Sequence, residues 1–238
     1  MNILELAHDN LCRISDNVYP GRGIIIGLNQ DQRTLTQIYW IMGRSSNSRN
    51  RVFVREGDFV RTEAHDPDKV TDSSLIIYNP IKSVGRVHIV SNGDQTDTVY
   101  NFISEGESME EALFTRVYEP DAPNFTPRIT GMIDLNSKYA YQLSILKLLN
   151  SGDVCGRFYY NYETAIPGVG HCLHTYNGDG DPLPSFSGEP FPVEISGNID
   201  QIADLYWGLL NEENRISLLV KTIDRNNGDT EIVIRNKH

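Results

Sequence analysis

Short runs of apolar and β-branched residues recur along the chain and are separated by turn-forming residues. Runs of this kind, bounded by Gly, Pro, Asn and Asp, are typical of β-strands. They predict strands at Gly23–Leu28, Thr34–Met42, Arg51–Arg55, Phe59–Glu63, Ser74–Tyr78, Arg86–Ser91, Arg128–Ile133, Gly156–Tyr162, His171–Tyr176, Ile216–Ile223 and Glu231–Arg235. Because short turns join most of these strands, we expect mainly antiparallel pairing.

Other stretches carry apolar residues at helical spacing. They predict helices at Ile3–Ile14, Ser108–Val117, Lys138–Asn150 and Asp200–Leu210. Ser108, Glu110 and Glu111 are typical of a capped first turn, and Gly152 lies where a glycine commonly ends a helix. Single helices among many strands predict the α+β class, with one domain over residues 1–238.

Composition narrows the classes of partner. Of the 238 residues, 39% are hydrophobic and 22% are charged, as in ordinary globular proteins. With 21 Lys and Arg against 32 Asp and Glu, the net charge of -11 argues against nonspecific binding to nucleic acid or acidic membranes. The sequence shows no signal-peptide pattern and no apolar run near the ~20 residues of a membrane helix. Three widely spaced cysteines fit reduced thiols, so we expect a cytoplasmic protein.

The stretch Gly43–Arg51, GRSSNSRNR, places arginines, serines and asparagines directly after an apolar run. Arginine forks match phosphate or carboxylate oxygens, and hydroxyl and amide groups supply further donors. Ordinary solvated loops have a similar composition, which is the alternative interpretation. On so acidic a chain, a local basic loop favours a small anionic ligand over a polymer.

Arg22 and Arg44 lie at the outer limits of the first two predicted strands, which Asn29–Arg33 joins as a hairpin. Antiparallel pairing brings the outer limits of two such strands to the same end of a sheet. The two arginines are therefore predicted to form one site.

Polar residues also cluster after three other predicted elements. Ser91–Thr98, SNGDQTDT, contains Asn92-Gly93, for which a simple hairpin turn is the alternative to a functional role. Tyr78 and Asn79 end a strand before a proline, and Glu119–Arg128 is a proline-bounded loop with two acids and an arginine. Such positions can face a cleft.

Metal and nucleophile motifs are weak. His171 and His174 are three residues apart on a predicted strand and thus on opposite faces, which disfavours a shared metal. The series Asn177, Asp179 and Asp181 starts like a calcium loop, but Pro182 stands where that loop needs glycine. No GxSxG, HExxH or GxxxxGK[ST] motif is present.

The order of these motifs resembles the archaeal-type IMP cyclohydrolase family over most of Tyr19 to about Phe186. The motifs are YPGR at Tyr19–Arg22, GRSSNSRNR at Gly43–Arg51, IIYN at Ile76–Asn79, SNGDQTDT at Ser91–Thr98, YEPDAPNFTPRI at Tyr118–Ile129 and TYNGDGDPLPSF at Thr175–Phe186. The resemblance implies a four-layer αββα sandwich of two mainly antiparallel sheets, similar to N-terminal nucleophile hydrolases. The chain begins Met1-Asn2-Ile3, so we expect no N-terminal nucleophile.

The reaction implied by the resemblance closes 5-formamidoimidazole-4-carboxamide ribonucleotide to IMP with loss of water, in de novo purine biosynthesis, with no cofactor and no metal. Tyr78 would donate to the developing oxyanion, and Glu119 would accept the amide proton. The 5′-phosphate would be bound by Arg22, Arg44 and Arg51, helped by Ser45 and Asn50. Asn92, Thr96, Arg128 and Tyr176 are further expected contacts to base, ribose or phosphate.

Each of these further contacts has an alternative role in the fold. Arg128 could pair with Asp121, Asn92 could shape its turn, and Tyr176 could belong to the core. Two other functions also stay open: a purine nucleotide or phosphosugar binding protein without turnover, and an amidohydrolase of the same fold. The expected partner is a small purine ribonucleotide; the oligomeric state, including a homo-oligomer, and the role of Arg49 are open.

Overall fold

The computed structural model describes residues 2–70, 77–149 and 154–238, and within them the strands form two antiparallel sheets. The first has the order β11-β10-β1-β2-β12-β13, and the second runs β3 to β9 in sequence order. The strands of the first sheet are β1 (Gly23–Leu28), β2 (Thr34–Met42), β10 (Val169–His174), β11 (Phe191–Glu194), β12 (Arg215–Asp224) and β13 (Thr230–Asn236). Those of the second are β3 (Val52–Glu56), β4 (Phe59–Glu63), β5 (Ile81–Val84), β6 (Val87–Ser91), β7 (Arg128–Asp134), β8 (Tyr141–Leu148) and β9 (Cys155–Tyr162). The predicted α+β class with mainly antiparallel sheets is confirmed.

The main hydrophobic core lies where the sheets face each other, and every residue of β1 is buried. Ile24 and Ile26 of β1 pack against the second sheet at Gly131. A Cβ at Gly131 would lie 2.5 Å from Ile26 Cδ1, so this glycine allows the close approach. The continuous apolar run predicted as a strand is thus a central strand covered on both faces.

Most helices lie on the outer faces of the sheets, and Ile14, Ile202 and Tyr206 of these helices belong to the main core, which therefore continues on the outer face of the first sheet. The helices are α1 (Ile3–Asp9), α2 (Cys12–Ser15), α3 (Ser46–Arg49), α4 (Gln95–Ser104), α5 (Met109–Phe114) and α6 (Ile199–Leu209). Helices α4 and α5 cover Ile89, Met132 and Leu146 of the second sheet in a separate small core. The predicted cap at Ser108 is confirmed as a capping box with Glu111. In the described ranges, none of the helices combines the length and apolar character needed to cross a membrane.

The predicted helix Lys138–Asn150 is wrong, because its described part forms strand β8. Leu143, Leu146 and Leu149 are spaced like a helical face, but Tyr141, Leu143 and Ile145 alternate in a strand pattern toward the main core. Pairing with β7 and β9 on both sides stabilises the strand over the local helical preference. Residues 150–153, including the expected helix end at Gly152, lie outside the described residues.

Asn92-Gly93 does not form a hairpin turn, since it connects β6 to helix α4, which the sequence did not predict. The predicted helix Ile3–Ile14 is divided into α1 and α2, and strands β5 and β11 were also missed. Of the predicted strand Ser74–Tyr78, residues 74–76 lie outside the described ranges, and Tyr78 follows without strand geometry. Its backbone still bonds to Thr62 of β4.

The strand register brings separate chain segments to one end of the sandwich. Gly23 at the start of β1 pairs with Trp40 near the end of β2 and with His174 at the end of β10. In the second sheet, Ser91 at the end of β6 pairs with Thr130 near the start of β7. The loops that leave these strand ends carry the predicted functional residues.

Candidate active site

A cavity of about 270 Å³ opens at this end of the sandwich. It is lined by Tyr19, Arg22, Arg44, Ser45, Asn47, Ser48, Asp121, Asn124, Thr126, Tyr176 and Leu183. Arg22 and Arg44 thus meet in one site, as the hairpin predicted. The lining combines cationic, hydroxyl and aromatic groups, which suits a phosphorylated ligand with a ring.

The Tyr19–Arg22 turn is built around Gly21, which has a φ of +74°. A Cβ there would lie 2.2 Å from Thr175 Oγ1, so only glycine fits without a shift. The Arg22 backbone N–H donates to the same Oγ1 at 3.1 Å, and the Tyr19 ring stacks on Tyr176 at 6.0 Å. These contacts fix the direction in which Arg22 enters the site.

The basic loop forms a short helix, α3, whose N-cap is Ser45. Ser45 Oγ accepts from the backbone N–H of Ser48 at 3.1 Å, and both residues line the cavity. Arg49 supports the loop from behind, since it donates to the Gly43 carbonyl at 3.0 Å and to Asn214 at 3.2 Å. Arg49, whose role the sequence left open, therefore maintains the shape of the loop.

Arg44 lies at the rim of the cavity. Its guanidinium forms an ion pair with Asp179, donates to the Gly180 carbonyl at 3.0 Å and lies 5.1 Å from the centre of the Tyr19 ring. The Asn177–Asp181 series thus supplies a partner for an arginine. Asn50 is outside the lining, and its side chain bonds at 2.7 Å to both the N–H and the carbonyl of Asp66.

Next to the cavity is a group that we call the inner cluster: the buried residues Tyr39, Arg51, Tyr78 and Glu119, together with Arg22, which is half-buried and also lines the cavity. Arg51 is fully buried, and its Nε donates to the Ser48 carbonyl at 2.8 Å. Neither of its Nη atoms, nor Nε of Arg22, has a hydrogen-bond partner within the described part of the chain. Buried donors without partners are rare in folded proteins, so these nitrogens are candidates for ligand contacts.

Glu119 supplies the inner cluster with its carboxylate. Burial raises the pKa of Glu119 to about 7, although the positive charges of Arg22 and Arg128 oppose this shift. Gly93 permits the arrangement, because a Cβ there would lie 2.8 Å from Arg128 Nη1 and 3.4 Å from Glu119 Oε1. A carboxyl group that titrates near neutral pH can both accept and return a proton.

Tyr78 places its hydroxyl 2.6 Å from the hydroxyl of Tyr39. The Tyr78 backbone is fixed by Thr62, whose Oγ1 accepts from the Tyr78 N–H at 2.9 Å. Burial raises the pKa of Tyr78, against the effect of the positive charges of Arg51 and Arg22. The hydroxyl therefore stays protonated near neutral pH and can act as a donor.

Asn92, Thr96 and Arg128 are buried, lie outside the cavity lining and bond to neighbouring protein groups. Asn92 Nδ2 donates to the Pro127 carbonyl at 2.9 Å. Thr96 Oγ1 lies 2.5 Å from Ser91 Oγ, within the same strand-to-helix connection.

Arg128 donates to Asp94 at 2.7 Å and to Gln95 at 2.6 Å. The alternative pairing of Arg128 with Asp121 is wrong, because Asp121 accepts instead from Thr126 N–H at 2.7 Å and from its hydroxyl at 2.5 Å. Arg128 consequently ties the connection before α4 to the loop that carries Glu119.

Tyr176 lines the cavity with its hydroxyl 2.5 Å from Thr126 Oγ1. Burial raises the pKa of Tyr176 to about 12. Sequence reasoning did not propose Tyr39, Asp121 or Thr126 as site residues, and it named Asp121 only as an alternative partner of Arg128. Asp121 and Thr126 lie in the quoted Tyr118–Ile129 motif, which was the available signal, whereas Tyr39 is hidden in an apolar strand.

The histidines of β10 have separate environments, as predicted from their spacing. His171 Nδ1 lies 2.7 Å from the Tyr141 hydroxyl between the sheets, and His174 packs edge-on against Phe186 at 4.7 Å. Across the described ranges, no group of three or more His, Cys, Asp and Glu side chains is placed to hold a metal ion. The three cysteines, all described, are free thiols.

Comparison with known proteins shows the family to which the chain that forms this site belongs. A family model described as "IMP cyclohydrolase-like protein" matches residues 19–228. The chain is 34% identical over 122 residues to an IMP cyclohydrolase of Methanopyrus kandleri, a match covering 49% of this chain and 59% of the relative. It is 30% identical over 126 residues to an IMP cyclohydrolase of Methanococcus aeolicus, covering 51% and 61%.

A third relative, the IMP cyclohydrolase of Methanosphaera stadtmanae, is 32% identical over 121 residues, which cover 49% of this chain and 58% of the relative. Each match spans about half of this chain and less than two thirds of the relative's own length. The family match, by contrast, includes the whole cavity lining and the whole inner cluster. The chain therefore belongs to the archaeal-type IMP cyclohydrolase family.

Proposed function

We propose that this protein is an IMP cyclohydrolase, which closes 5-formamidoimidazole-4-carboxamide ribonucleotide to IMP with loss of water. The observation that carries the proposal is a buried carboxyl group, Glu119, with a pKa of about 7 beside Arg22 and Arg51. Tyr78, a protonated donor, belongs to the same inner cluster. A proton acceptor, a hydroxyl donor and an anion site are the groups that this ring closure requires.

The two layers of the site correspond to the two ends of the substrate. Arg44, Ser45 and Arg22 line the outer cavity and would bind the 5′-phosphate, whose charge would compete with Asp179 for Arg44. The carboxamide and formamido groups would then reach the inner cluster. The unpartnered Arg51 nitrogens would bind the oxygen atoms there or the phosphate itself.

The reaction needs no net proton change at the protein. The carboxamide nitrogen attacks the formyl carbon and gives one proton to Glu119, while Tyr78 donates to the formyl oxygen as it becomes a hydroxyl. The carbon–oxygen bond then breaks, and the hydroxyl leaves as water with the proton that Glu119 returns. The formamido nitrogen loses its proton to the Tyr78 oxygen, which leaves the new ring with a carbon–nitrogen double bond and both side chains in their starting states.

The other predicted residues have defined places in this proposal. Tyr176 contacts the nucleotide directly, because it lines the cavity. Asn50, Asn92, Thr96 and Arg128 act through the segments that their bonds hold in place. These four residues would contact the base, ribose or phosphate directly only if their present hydrogen bonds to the protein rearranged when the ligand binds.

We also propose that residues 1–238 form one domain with the four-layer αββα arrangement of N-terminal nucleophile hydrolases. The packing of α4 and α5 on one sheet and of α1 and α6 on the other supports this arrangement. We propose a cytoplasmic location, supported by the free thiols. The partner is a small purine ribonucleotide.

Turnover of the formamido ribonucleotide by the purified protein tests the proposed activity. We expect the absorbance change of IMP formation, and crystals soaked in IMP should show its phosphate on Arg22 and Arg44. Binding of IMP without any turnover would favour a nucleotide-binding protein. If neither binding nor turnover is found, both functions are rejected.

A further inference from the structure

Tyr39 is a fully buried residue of β2 whose hydroxyl lies 2.6 Å from that of Tyr78. The Tyr39 ring packs against Phe53 at 5.7 Å, so the packed core fixes its orientation. Among the described residues, the Tyr39 hydroxyl has no hydrogen-bond partner other than the Tyr78 hydroxyl. A tyrosine hydroxyl has one hydrogen, so only one of the two can donate in this bond.

The environment indicates which hydroxyl donates. The Tyr39 hydroxyl is fully buried, and the Tyr78 oxygen is the acceptor 2.6 Å away from it. Tyr78 is 6% exposed and belongs to the inner cluster, next to the cavity where a ligand would bind. Because a buried hydroxyl hydrogen without an acceptor is costly, Tyr39 is the donor in this bond and Tyr78 is the acceptor. With Tyr39 donating, the hydrogen of Tyr78 is free to point to another acceptor.

We propose that Tyr39 is a positioning residue for ring closure, which donates its hydroxyl hydrogen to Tyr78 and leaves the Tyr78 hydrogen directed at the formyl oxygen. This inference rests on the proposed function. As the formyl oxygen takes up the Tyr78 hydrogen, negative charge builds on the Tyr78 oxygen. The bond from Tyr39 stabilises that charge in an interior where water cannot.

Tyr39→Phe removes the donor and keeps the ring. We expect kcat to fall about 10- to 100-fold, because the lost bond is made to a partly charged oxygen. The KM and the Kd for IMP should stay within about twofold, since Tyr39 touches no ligand. The basic limb of the pH–rate profile should move to higher pH, because Tyr78 would ionise less readily without its donor.

Tyr206→Phe is the matched control. Tyr206 is equally buried, and its hydroxyl donates to the Glu194 carbonyl at 2.6 Å away from the site. It should lower thermal stability, as the loss of any buried hydrogen bond does, while kcat per folded molecule and the pH profile stay unchanged.

A second measurement is independent of turnover. Fluorotyrosine placed at position 78 ionises at a lower pH than tyrosine, and ¹⁹F NMR follows its titration. The pKa of this fluorotyrosine should be higher in the Tyr39→Phe variant than in the protein that keeps Tyr39. An unchanged titration, or a Tyr39→Phe enzyme with wild-type kcat and pH profile, overturns the role of Tyr39. A wild-type protein that fails to make IMP rejects the proposed function instead.

Discussion

Arg22 lies close enough to the fully buried Arg51 for its positive charge to lower the pKa of Arg51, in addition to the larger effect of burial. The nearby carboxyl group, Glu119, is itself half protonated near pH 7. The ligand-free site therefore has an excess of positive charge that a phosphate or a developing oxyanion would neutralise.

Arg51→Met should weaken binding without weakening the fold. We expect the Kd for IMP to rise about 10- to 100-fold, because charged hydrogen bonds to the ligand are lost. The melting temperature of the ligand-free protein should change little, because removing a buried charge with two unpartnered nitrogens offsets the lost bond to the Ser48 carbonyl. Isothermal titration and thermal unfolding measure the two effects. A lower melting temperature with unchanged affinity would show that Arg51 serves only the fold.

Arg49→Met, in the same loop, should have the opposite effect: it should lower stability more than affinity. Arg49 bonds to the Gly43 carbonyl and to Asn214, so we expect a loss of about 1–2 kcal/mol in unfolding free energy. Affinity for IMP should fall less than with Arg51→Met.

Glu119→Gln should reduce kcat about 10²- to 10⁴-fold while IMP binding is retained, as expected for the loss of a general base. Wild-type kcat/KM should rise with pH through about 7, where Glu119 ionises. The folded-state pKa is above the ordinary value, so Glu119 favours folding at low pH and this contribution is lost as pH rises through 7. The Gln variant should thus be the more stable protein at pH 8, which urea unfolding at two pH values checks.

Gly21→Ala should be much more harmful than Gly57→Ala. Both glycines have positive φ, but a Cβ at Gly21 would meet Thr175 Oγ1 at 2.2 Å, whereas a Cβ at Gly57 has open space. We expect about 1 kcal/mol of backbone strain for Gly57→Ala and several-fold more for Gly21→Ala. Urea denaturation provides the comparison, and equal losses would contradict the predicted clash.

Lys221 should make stability depend on pH through its burial between the sheets. Burial lowers its pKa to about 8, and its Nζ donates to Ser83 Oγ at 2.6 Å. The unfolded chain therefore binds more protons between pH 8 and 10.5, so wild-type stability rises with pH in that window. Lys221→Met should be about 1–3 kcal/mol more stable at pH 7, with the difference narrowing toward pH 10.

His88, which lies next to Lys221, should make stability depend on pH in a lower pH range. Burial, with the charge of Lys221, lowers the pKa of His88 to about 3. His88 is thus neutral in the fold, and the stability that it contributes is present above pH 6.5 and lost as pH falls toward 3. Acid unfolding of the Lys221→Met variant should still show this loss of stability. The effect of His88 on stability can therefore be measured apart from that of Lys221.

Local sequence patterns predicted β1 and β2 with the observed bounds, because both are long apolar runs around a short polar turn, whereas β11 of the same sheet was missed. They failed for β8, where Tyr141–Leu148 contains both periodicities and pairing with its neighbours decides between them. They also failed for α4, because Asn92-Gly93 is a turn signal whether a strand or a helix follows.

For the site as well, local sequence predicted some features, and others depend on tertiary packing. Arg22 and Arg44 could be brought together from the sequence, since one hairpin relates them. The burial of Glu119, the pairing of Arg128 with Asp94 and the contact of Tyr39 with Tyr78 depend on how two sheets pack, which no local pattern contains.

The segments that meet at this end of the sandwich are far apart in sequence and come from both sheets. Such long-range contacts form late in folding, so binding competence should appear only with the complete native state. Local opening of either sheet should release the ligand. A bound nucleotide is then expected to slow amide hydrogen exchange well beyond its contacts, in β1 and β2 as well as in β6 and β7.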